Sequence, residues 1–305
     1  MRQQLLACVK TINQVILGKE HQVNLAVCCL LAKGHLLLED LPGMGKTTLS
    51  HVLAQVLGLS YQRIQFTSDL LPGDVLGTSV FDRSNNAFVF HPGPIFAQVV
   101  LADEVNRATP KSQSALLEAM EERQVSIEGK THLLPDPFFV IATQNPSTQS
   151  GTFPLPESQL DRFLMRISLG YPPEKAEKKL LLAGGARRTL NQAAILTIEG
   201  LKKAQQEVVQ IEASEVLIDY ILRLVTATRS QSQFVEGLSP RASLGLLAAA
   251  KAWAYMAGRS YVIPEDVQAV LPAVVSHRLN EPVSTNLQAG GKQVQWLLNN
   301  TPTVA

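Results

Sequence analysis

The chain of 305 residues is 46% hydrophobic and 17% charged, and its 27 lysines and arginines nearly balance its 26 aspartates and glutamates. This composition excludes a disordered chain and predicts one large globular domain or two moderate ones. The near-zero net charge gives no sign of a surface for nucleic acid or an anionic membrane.

The first forty residues predict neither a leader nor a membrane span. The start, MRQQLLACVK, lacks a long apolar stretch and a small-residue cleavage site. The apolar run 23–38 is interrupted by polar residues and Gly34, so it falls short of the roughly 20 residues that a membrane helix needs. Cys8, Cys28 and Cys29 are odd in number and form no C-x-x-C pair, which argues against a disulfide framework. We therefore expect a cytoplasmic protein that is not inserted in a membrane, with Cys28 and Cys29 in its core.

Short apolar runs alternate with helical patterns over residues 1–170. The runs that predict buried strands are HLLLE (35–39), YQRIQF (61–66), VVLAD (99–103), FFVIAT (138–143) and FLMRISL (163–169). Such alternation predicts an α/β fold with a mainly parallel sheet covered on both faces. Residues 174–280 carry apolar residues at helical spacing. Because proline ends a strand and can open a helix, Pro172-Pro173 divides the chain into an α/β domain, 1–171, and an α-helical domain, 172–305.

A phosphate-binding loop is predicted in the segment LLLEDLPGMGKTTLSHVLAQVLG, which has the order strand, loop, helix. Gly43 and Gly45 allow successive backbone N–H groups to point at phosphate oxygens. Lys46 supplies a positive charge and Thr47 a hydroxyl for Mg²⁺, while the helix N-terminus adds its positive dipole end. The strict motif has glycine six residues before the lysine, where this chain has Asp40. The alternative is a simple glycine-rich turn.

Two carboxylates end the apolar run QVVLADE. Asp103 and Glu104 lie 57 residues or more beyond the loop lysine, at the carboxyl end of a predicted strand. Phosphoryl transfer requires a metal that neutralises charge and a residue that positions the nucleophile. Asp103 is the candidate for Mg²⁺, and Glu104 is the candidate that orients or deprotonates the attacking water. Seen alone, the pair could be a solvated strand end.

With both elements present, the chain resembles the MoxR family of AAA+ ATPases. The resemblance extends over most of residues 10–280. It rests on the segments LEDLPGMGKTTL, HPGPIFAQVVLADEVNRATPKSQSALLEAMEERQVSIEG, PFFVIATQNPSTQSGTFPLPESQLDRFL and LSPRASLGLLAAAKAWA. It implies an AAA+ P-loop core followed by a small all-α lid, ATP and Mg²⁺ as ligands, and ATP hydrolysis.

The resemblance also implies roles for three further polar residues. Asn145 corresponds to sensor 1, which can hydrogen-bond the γ-phosphate or the lytic water. Arg162 corresponds to the arginine finger that reaches a neighbouring subunit's γ-phosphate, with Arg107 and Arg166 as rivals. Arg241 corresponds to sensor 2. It follows Ser239-Pro240, a good N-cap and first helical residue, so it is expected in the first turn of a helix, facing the bound nucleotide.

Contacts to the nucleotide follow from the same resemblance. Leu17 and Gly18 correspond to the segment beside the adenine. The residues expected around the phosphates are Pro42, Gly43, Met44, Gly45, Lys46, Thr47 and Thr48.

Two insertions and the partners complete the expectations. Residues 69–97, with two β-like arms around Ser84-Asn85-Asn86, resemble the helix-2 insert, and residues 122–138 resemble the pre-sensor-1 hairpin. In related rings, such hairpins engage the client protein. The alternative for this chain is that the two insertions only pack against each other. The family implies a homo-oligomeric ring, by analogy a hexamer. It also implies a client protein complex and a partner with a von Willebrand factor A domain.

Three other functions compete with this interpretation. A motor on DNA needs basic arms, whereas the two inserts carry more acidic than basic residues, so no nucleic-acid partner is expected. A nucleotide-dependent scaffold with little turnover would not need Glu104, Asn145 and Arg162. A metal hydrolase is disfavoured because the six histidines show no H-E-x-x-H or similar ligand spacing.

Overall fold

The structure, a computed structural model, describes residues 1–145, 151–182, 194–281 and 291–303. In chain order the strands of this part are β1 (Leu36–Glu39), β2 (Tyr61–Gln65), β3 (Gly77–Asp82), β4 (Ala87–Pro92), β5 (Val99–Asp103), β6 (Gln124–Ile127), β7 (Lys130–Leu133), β8 (Phe139–Gln144) and β9 (Met165–Ile167). Its α-helices are α1 (Arg2–Val15), α2 (Glu20–Leu31), α3 (Lys46–Val56), α4 (Pro72–Leu76), α5 (Pro110–Glu122), α6 (Glu157–Leu160), α7 (Glu174–Leu182), α8 (Ile198–Val209), α9 (Glu215–Ser230), α10 (Pro240–Met256), α11 (Pro264–Val275) and α12 (Lys292–Asn300).

Five strands form the central sheet in the order β2-β5-β8-β1-β9, and every neighbouring pair is parallel. All five predicted strands are present, but β2 is not the buried strand that was expected, because it lies at the edge of the sheet with Gln62, Arg63 and Gln65 exposed. Their carboxyl ends share one edge, where parallel α/β sheets bind ligands. The phosphate loop follows β1 at this edge, and Glu104 and Asn145 follow β5 and β8.

Both faces of the sheet are covered, as a continuous apolar strand requires. Along β5, Val99 and Leu101 belong to one hydrophobic cluster and Val100 and Ala102 to the other. The first cluster continues through α1, α2 and α3 into the C-terminal helices, and the second lies under α5 and the start of the insertions. The sheet is therefore the middle layer of three.

The C-terminal part is helical, as predicted, and α12 extends the helices beyond residue 280. Helices α8, α9 and α10 begin at side-chain caps: the hydroxyls of Thr197, Ser214 and Ser239 each accept a backbone N–H bond. Pro240 is the first residue of α10, so Arg241 lies in the first turn, as expected. Helices α8 and α10 pack against α2. The division at residues 171/172 stays a prediction.

Cys8, Cys28 and Cys29 are buried free thiols, as the odd cysteine count indicated. Burial raises the pKa of the Cys8 thiol to about 11, and it also raises those of Cys28 and Cys29. No helix in the described ranges is long and apolar enough to span a membrane.

Each predicted insertion contains an antiparallel hairpin. Strands β3 and β4 pair around residues 83–86, and β6 and β7 pair around Glu128 and Gly129. Both turn residues of the second hairpin have positive φ, 52° and 76°, the backbone of a two-residue hairpin loop. The hairpins touch where the Phe90 ring stacks on His132 at 4.0 Å between centroids.

Candidate functional site

The glycine-rich loop joins β1 to α3. Gly43 and Gly45 have φ values of 83° and 91°, a left-handed conformation that favours glycine. A Cβ atom built on either glycine would meet nothing within 4 Å, so the space over the loop is open. The loop ends where α3 begins at Lys46. These features suit a cradle in which backbone N–H groups face phosphate oxygens.

Lys46 is buried at the centre of the edge. Its Nζ donates to the carbonyl of Asp40 at 2.6 Å and to Oδ1 of Asn145 at 3.1 Å. Burial lowers the pKa of Lys46, and the charges of nearby carboxylates, Asp40 and Asp103 foremost, act in the opposite direction. The two hydrogen-bond acceptors are neutral, so a phosphate oxygen is a stronger partner for this ammonium group than either of them.

Asp40 occupies the position where the strict motif has glycine. Its Oδ2 accepts from the backbone N–H groups of Leu169 and Gly170, at 2.6 and 2.8 Å, and from the Ser168 hydroxyl at 3.1 Å. Its Oδ1 accepts from the N–H of Leu41 at 3.1 Å. This carboxylate therefore ties the start of the phosphate loop to the chain that leaves β9.

Asp103 ends β5 and is buried. Its Oδ1 accepts from the Thr143 hydroxyl at 2.6 Å, and its Oδ2 accepts from Nε and NH2 of Arg63 at 3.1 and 2.6 Å. Oxygen Oγ1 of Thr143 also accepts the N–H of Glu104 at 2.8 Å. Thr143 therefore fixes the backbone turn between the two acidic residues.

Glu104 stands at the turn after β5 with φ of 56°. Its Oε1 accepts from Nδ2 of Asn145, and its Oε2 accepts from Nε2 of Gln65 and NH1 of Arg107, all at 3.0 Å. The amide of Asn145 thus bridges Glu104 and Lys46. The structure brings these three predicted residues into one hydrogen-bonded network.

The predicted magnesium ligands lie at the same edge. Thr47 is exposed in the first turn of α3, which follows β1 and the glycine-rich loop, and Asp103 is the last residue of β5. No group of three or more His, Cys, Asp or Glu residues in the described ranges could hold a metal ion. Mg²⁺ commonly binds through one or two protein ligands with phosphates and water completing its shell, so a hydroxyl and one carboxylate fit it.

The expected adenine residues line a cavity of about 830 Å³. Leu17 and Gly18 form one side of this cavity, and Pro173 and Ala176 at the start of α7 form another. Gly18 has φ of 68°, and a Cβ there would come within 2.8 Å of Pro173. The segment predicted beside the base therefore packs directly on the beginning of the C-terminal helices.

Two of the predicted arginines lie together on a different carboxylate. Oε2 of Glu121, near the end of α5, is 3.1 Å from NH2 of Arg162, and its Oε1 accepts from NH2 of Arg241. Arg241 is also 4.0 Å from Asp161. The structure thus brings Arg162 and Arg241 to each other, and it pairs neither of them with the Lys46–Asn145–Glu104 network.

The rival arginines occupy other places. Arg107 pairs with Glu104 of its own chain at 3.0 Å. Arg166 is buried, pairs with Glu39 at 3.2 Å and donates to the carbonyl of Glu281. Burial lowers the pKa of Arg166, and the charge of Glu39 opposes that shift. Arg107 is therefore tied to Glu104 and Arg166 to Glu39, whereas Arg162 contacts neither residue and pairs with Glu121.

Four residues of these networks were not predicted from the sequence: Arg63, Gln65, Thr143 and Glu121. A signal existed for the first three, since they are polar residues near the carboxyl ends of predicted strands that share one edge. Glu121 gave no local signal, because its partners lie 41 and 120 residues away in the chain.

Comparison with known proteins identifies a family for each of two parts of the chain. Residues 35–165 match the ATPase family associated with various cellular activities (AAA), and residues 226–295 match an AAA lid domain. A crystal structure of a Cytophaga hutchinsonii protein assigned as an ATPase superimposes with a TM-score of 0.87 at 35% identity, covering 100% of this chain and 96% of that one.

Relatives of known sequence cover most of the chain. The uncharacterized protein YeaC of Bacillus subtilis is 46% identical over 89% of this chain and 85% of its own length. The chaperone MoxR1 of Mycobacterium tuberculosis is 44% identical over 88% and 73%, and the protein MoxR of Paracoccus denitrificans is 33% identical over 88% and 86%.

Proposed function

Because this chain belongs to the MoxR family of AAA+ ATPases, we propose that it hydrolyses ATP at the junctions of a homo-oligomeric ring and uses that cycle to mature or assemble partner protein complexes. One observation carries the proposal. The network of Lys46, Asn145 and Glu104 lies at one edge of the sheet, while Arg162 and Arg241 are gathered on Glu121. Such a division suits a site completed by two subunits.

Within one subunit, each polar residue has a separate task. The loop N–H groups and Lys46 bind the phosphates, and Thr47 and Asp103 hold Mg²⁺, which neutralises phosphate charge when it is bound. Glu104 accepts the proton of the attacking water. Asn145 orients that water, because its amide already reaches from the lysine to the glutamate. Leu17 and Gly18 lie beside the adenine.

Between subunits, Arg162 acts on the γ-phosphate of the neighbour. The resemblance implies that Arg241 faces the bound nucleotide, and because Arg241 shares Glu121 with Arg162, we assign both to that same γ-phosphate. A guanidinium is permanently charged and planar, which suits a triphosphate whose charge shifts in the transition state. A head-to-tail contact repeated in this way closes into a ring. We take six subunits from the family analogy.

The test mixes two inactive variants, Arg162→Ala and Glu104→Gln. Some junctions of mixed rings pair an intact finger with an intact Glu104, so part of the activity returns. Glu104→Gln alone slows hydrolysis by roughly 10²–10⁴, the range for loss of a general base, and keeps ATP affinity. If subunits exchange and no activity returns, Arg162 does not act in trans, and Arg107 and Arg166 become the next candidates.

The force of the cycle acts on a protein client. The relative from M. tuberculosis is named a chaperone, and the β3–β4 hairpin exposes the rings of Phe81 and Phe88, about half of each being accessible to solvent. We propose that this hairpin contacts the client and that a protein with a von Willebrand factor A domain works with the subunit ring. Capture of both on a Glu104→Gln trap with ATP, and their loss without nucleotide, is the expected result.

A further inference from the structure

The carboxylate of Glu121 lies between Arg162 and Arg241 of the same chain. Under the proposed function, these two arginines act on the nucleotide of the neighbouring subunit. Each oxygen of the Glu121 carboxylate takes a different guanidinium, Oε2 that of Arg162 at 3.1 Å and Oε1 that of Arg241. One carboxylate thereby fixes the spacing of two side chains that are 79 residues apart in the chain.

The three residues come from three separate elements. Glu121 lies in the last turn of α5, Arg162 follows the short helix α6, and Arg241 lies in the first turn of α10. Asp161 makes a second tie between the last two elements, because its carboxylate accepts from the Ser239 hydroxyl at 3.1 Å. The contact therefore joins the α/β part to the C-terminal helices.

A third arginine nearby gives a contrast. The side chain of Arg278 is 5% exposed and donates to Asp161 and to the backbone carbonyls of Phe163 and Leu164. The N–H groups of Arg278 are therefore occupied by hydrogen bonds that stabilise the fold. The side chains of Arg162 and Arg241 are 30% and 48% exposed, so their guanidinium groups can still meet an incoming anion, and a guanidinium carries five N–H donors.

We propose that Glu121 is a positioning residue that holds Arg162 and Arg241 side by side for the γ-phosphate of the adjacent subunit. This inference rests on the proposed function, in which these arginines act in trans. A half-exposed ion pair contributes little to folding stability. Its effect is to preorganise two long side chains, and catalytic groups lose much of their rate contribution when they are misplaced.

The first measurement compares Glu121→Gln with Glu118→Gln, which makes the same charge change at an exposed position of the same helix. Glu121→Gln lowers kcat by about 10²-fold, the loss typical of a displaced catalytic group, and leaves KM for ATP and the melting temperature near those of the control. Unchanged kcat overturns the inference. So does a higher kcat, because Glu121 would then restrain the arginines.

The second measurement assigns Glu121 to a side of the junction. Mixed with Glu104→Gln, the Glu121→Gln variant regains activity, because intact arginines then face an intact Glu104. When the Glu121→Gln variant is mixed with Arg162→Ala, no ATPase activity returns, because the arginine pair that each junction receives is impaired in both variants. The opposite pattern would put Glu121 in its own subunit's site and overturn the inference.

The pair Arg162→Ala with Glu104→Gln is the control for this experiment. If the control pair recovers and the Glu121→Gln pair does not, only the role of Glu121 fails. If the control pair also stays inactive, the trans-acting arginines fail and the inference falls with them.

Discussion

Asp40 shows how a departure from a motif acquires a structural task at the scale of one residue. The strict loop begins with glycine, whereas here a buried carboxylate accepts N–H bonds from Leu41, Leu169 and Gly170. The carbonyl of the same residue holds Lys46. Asp40 therefore links the lysine at the end of the glycine-rich loop to the chain that runs toward α7.

Restoring the glycine of the strict motif is expected to weaken this site. Hydrogen bonds to a charged group contribute about 1.5–3 kcal/mol each, and about 1.4 kcal/mol is tenfold in affinity. We predict that Asp40→Gly binds ATP at least roughly tenfold more weakly by calorimetry. Asp40→Asn, which turns an NH₂ toward donors, shows a related loss. Wild-type affinity in Asp40→Gly would mean that the carboxylate does not stabilise the loop.

At the scale of elements, His35 joins the start of β1 to α5 and β8. Its Nδ1 accepts the N–H of Val140 at 2.9 Å, and its Nε2 lies 3.3 Å from the carbonyl of Met120. Burial lowers the pKa of His35 to about 4, and the charge of Arg123 acts in the same direction. The buried imidazole is therefore neutral in the folded chain at neutral pH.

This depressed pKa makes stability depend on pH. Between about pH 6.5 and 4 the unfolded His35 binds a proton and the folded one does not, so unfolding becomes easier as pH falls. A shift of this size corresponds to about 3 kcal/mol. Urea unfolding at several pH values should show that the free energy of unfolding falls as the pH falls from about 6.5 to 4. In His35→Gln, the free energy of unfolding should depend less steeply on pH. Part of the slope persists, because burial also lowers the pKa of His277. An equal slope in both proteins would contradict the assignment.

The β3–β4 hairpin makes a second prediction at this scale. Phe81 and Phe88 contact each other edge to face at 5.3 Å and remain exposed. In the Glu104→Gln trap, replacing both by serine should abolish client capture and leave ATP affinity unchanged. Leu222→Ser, an exposed apolar residue of α9, is the control. If the variant with both serines still captured the client, the client contact would lie elsewhere in the chain. In a separate measurement, ATPase activity stimulated by DNA would favour a nucleic-acid motor.

The elements that the sequence predicted are those whose signal is local. The inner strands β1, β5 and β8 are short, mainly apolar runs, and the loop and acidic pair lie where two such runs end, so their meeting at one edge follows from parallel pairing. The contacts of Arg241 were not predictable in this way. Ser239 and Pro240 predicted its helical turn, but its approach to Glu121 depends on where the first turn of α10 lies relative to the end of α5.

At the scale of the whole molecule, activity should belong to the assembly. A single subunit holds Glu104 in one network and Arg162 in another, so under the proposed function a dilute monomer lacks the arginine that completes its site. We predict that specific ATPase activity rises with protein concentration and that Arg162→Ala costs up to roughly 10³–10⁵ in turnover with little loss of ATP binding. The comparison is of turnover and mass, by light scattering, across a dilution series. Constant specific activity in demonstrably monomeric protein would contradict this prediction.

The hydrophobic cluster that passes from α2 into α8 and α10 has a consequence for chimeras between relatives. Gln205 on α8 donates to the carbonyl of Leu30, and Cys28 on α2 lies 3.2 Å from the carbonyl of Ala249 on α10. If the C-terminal half came from another family member, its α8 and α10 would pack against an α2 of different sequence. Such a hybrid should be insoluble unless α1 and α2 are taken from the same parent as the C-terminal helices. In recombination, the N-terminal and C-terminal helices therefore have to be exchanged together.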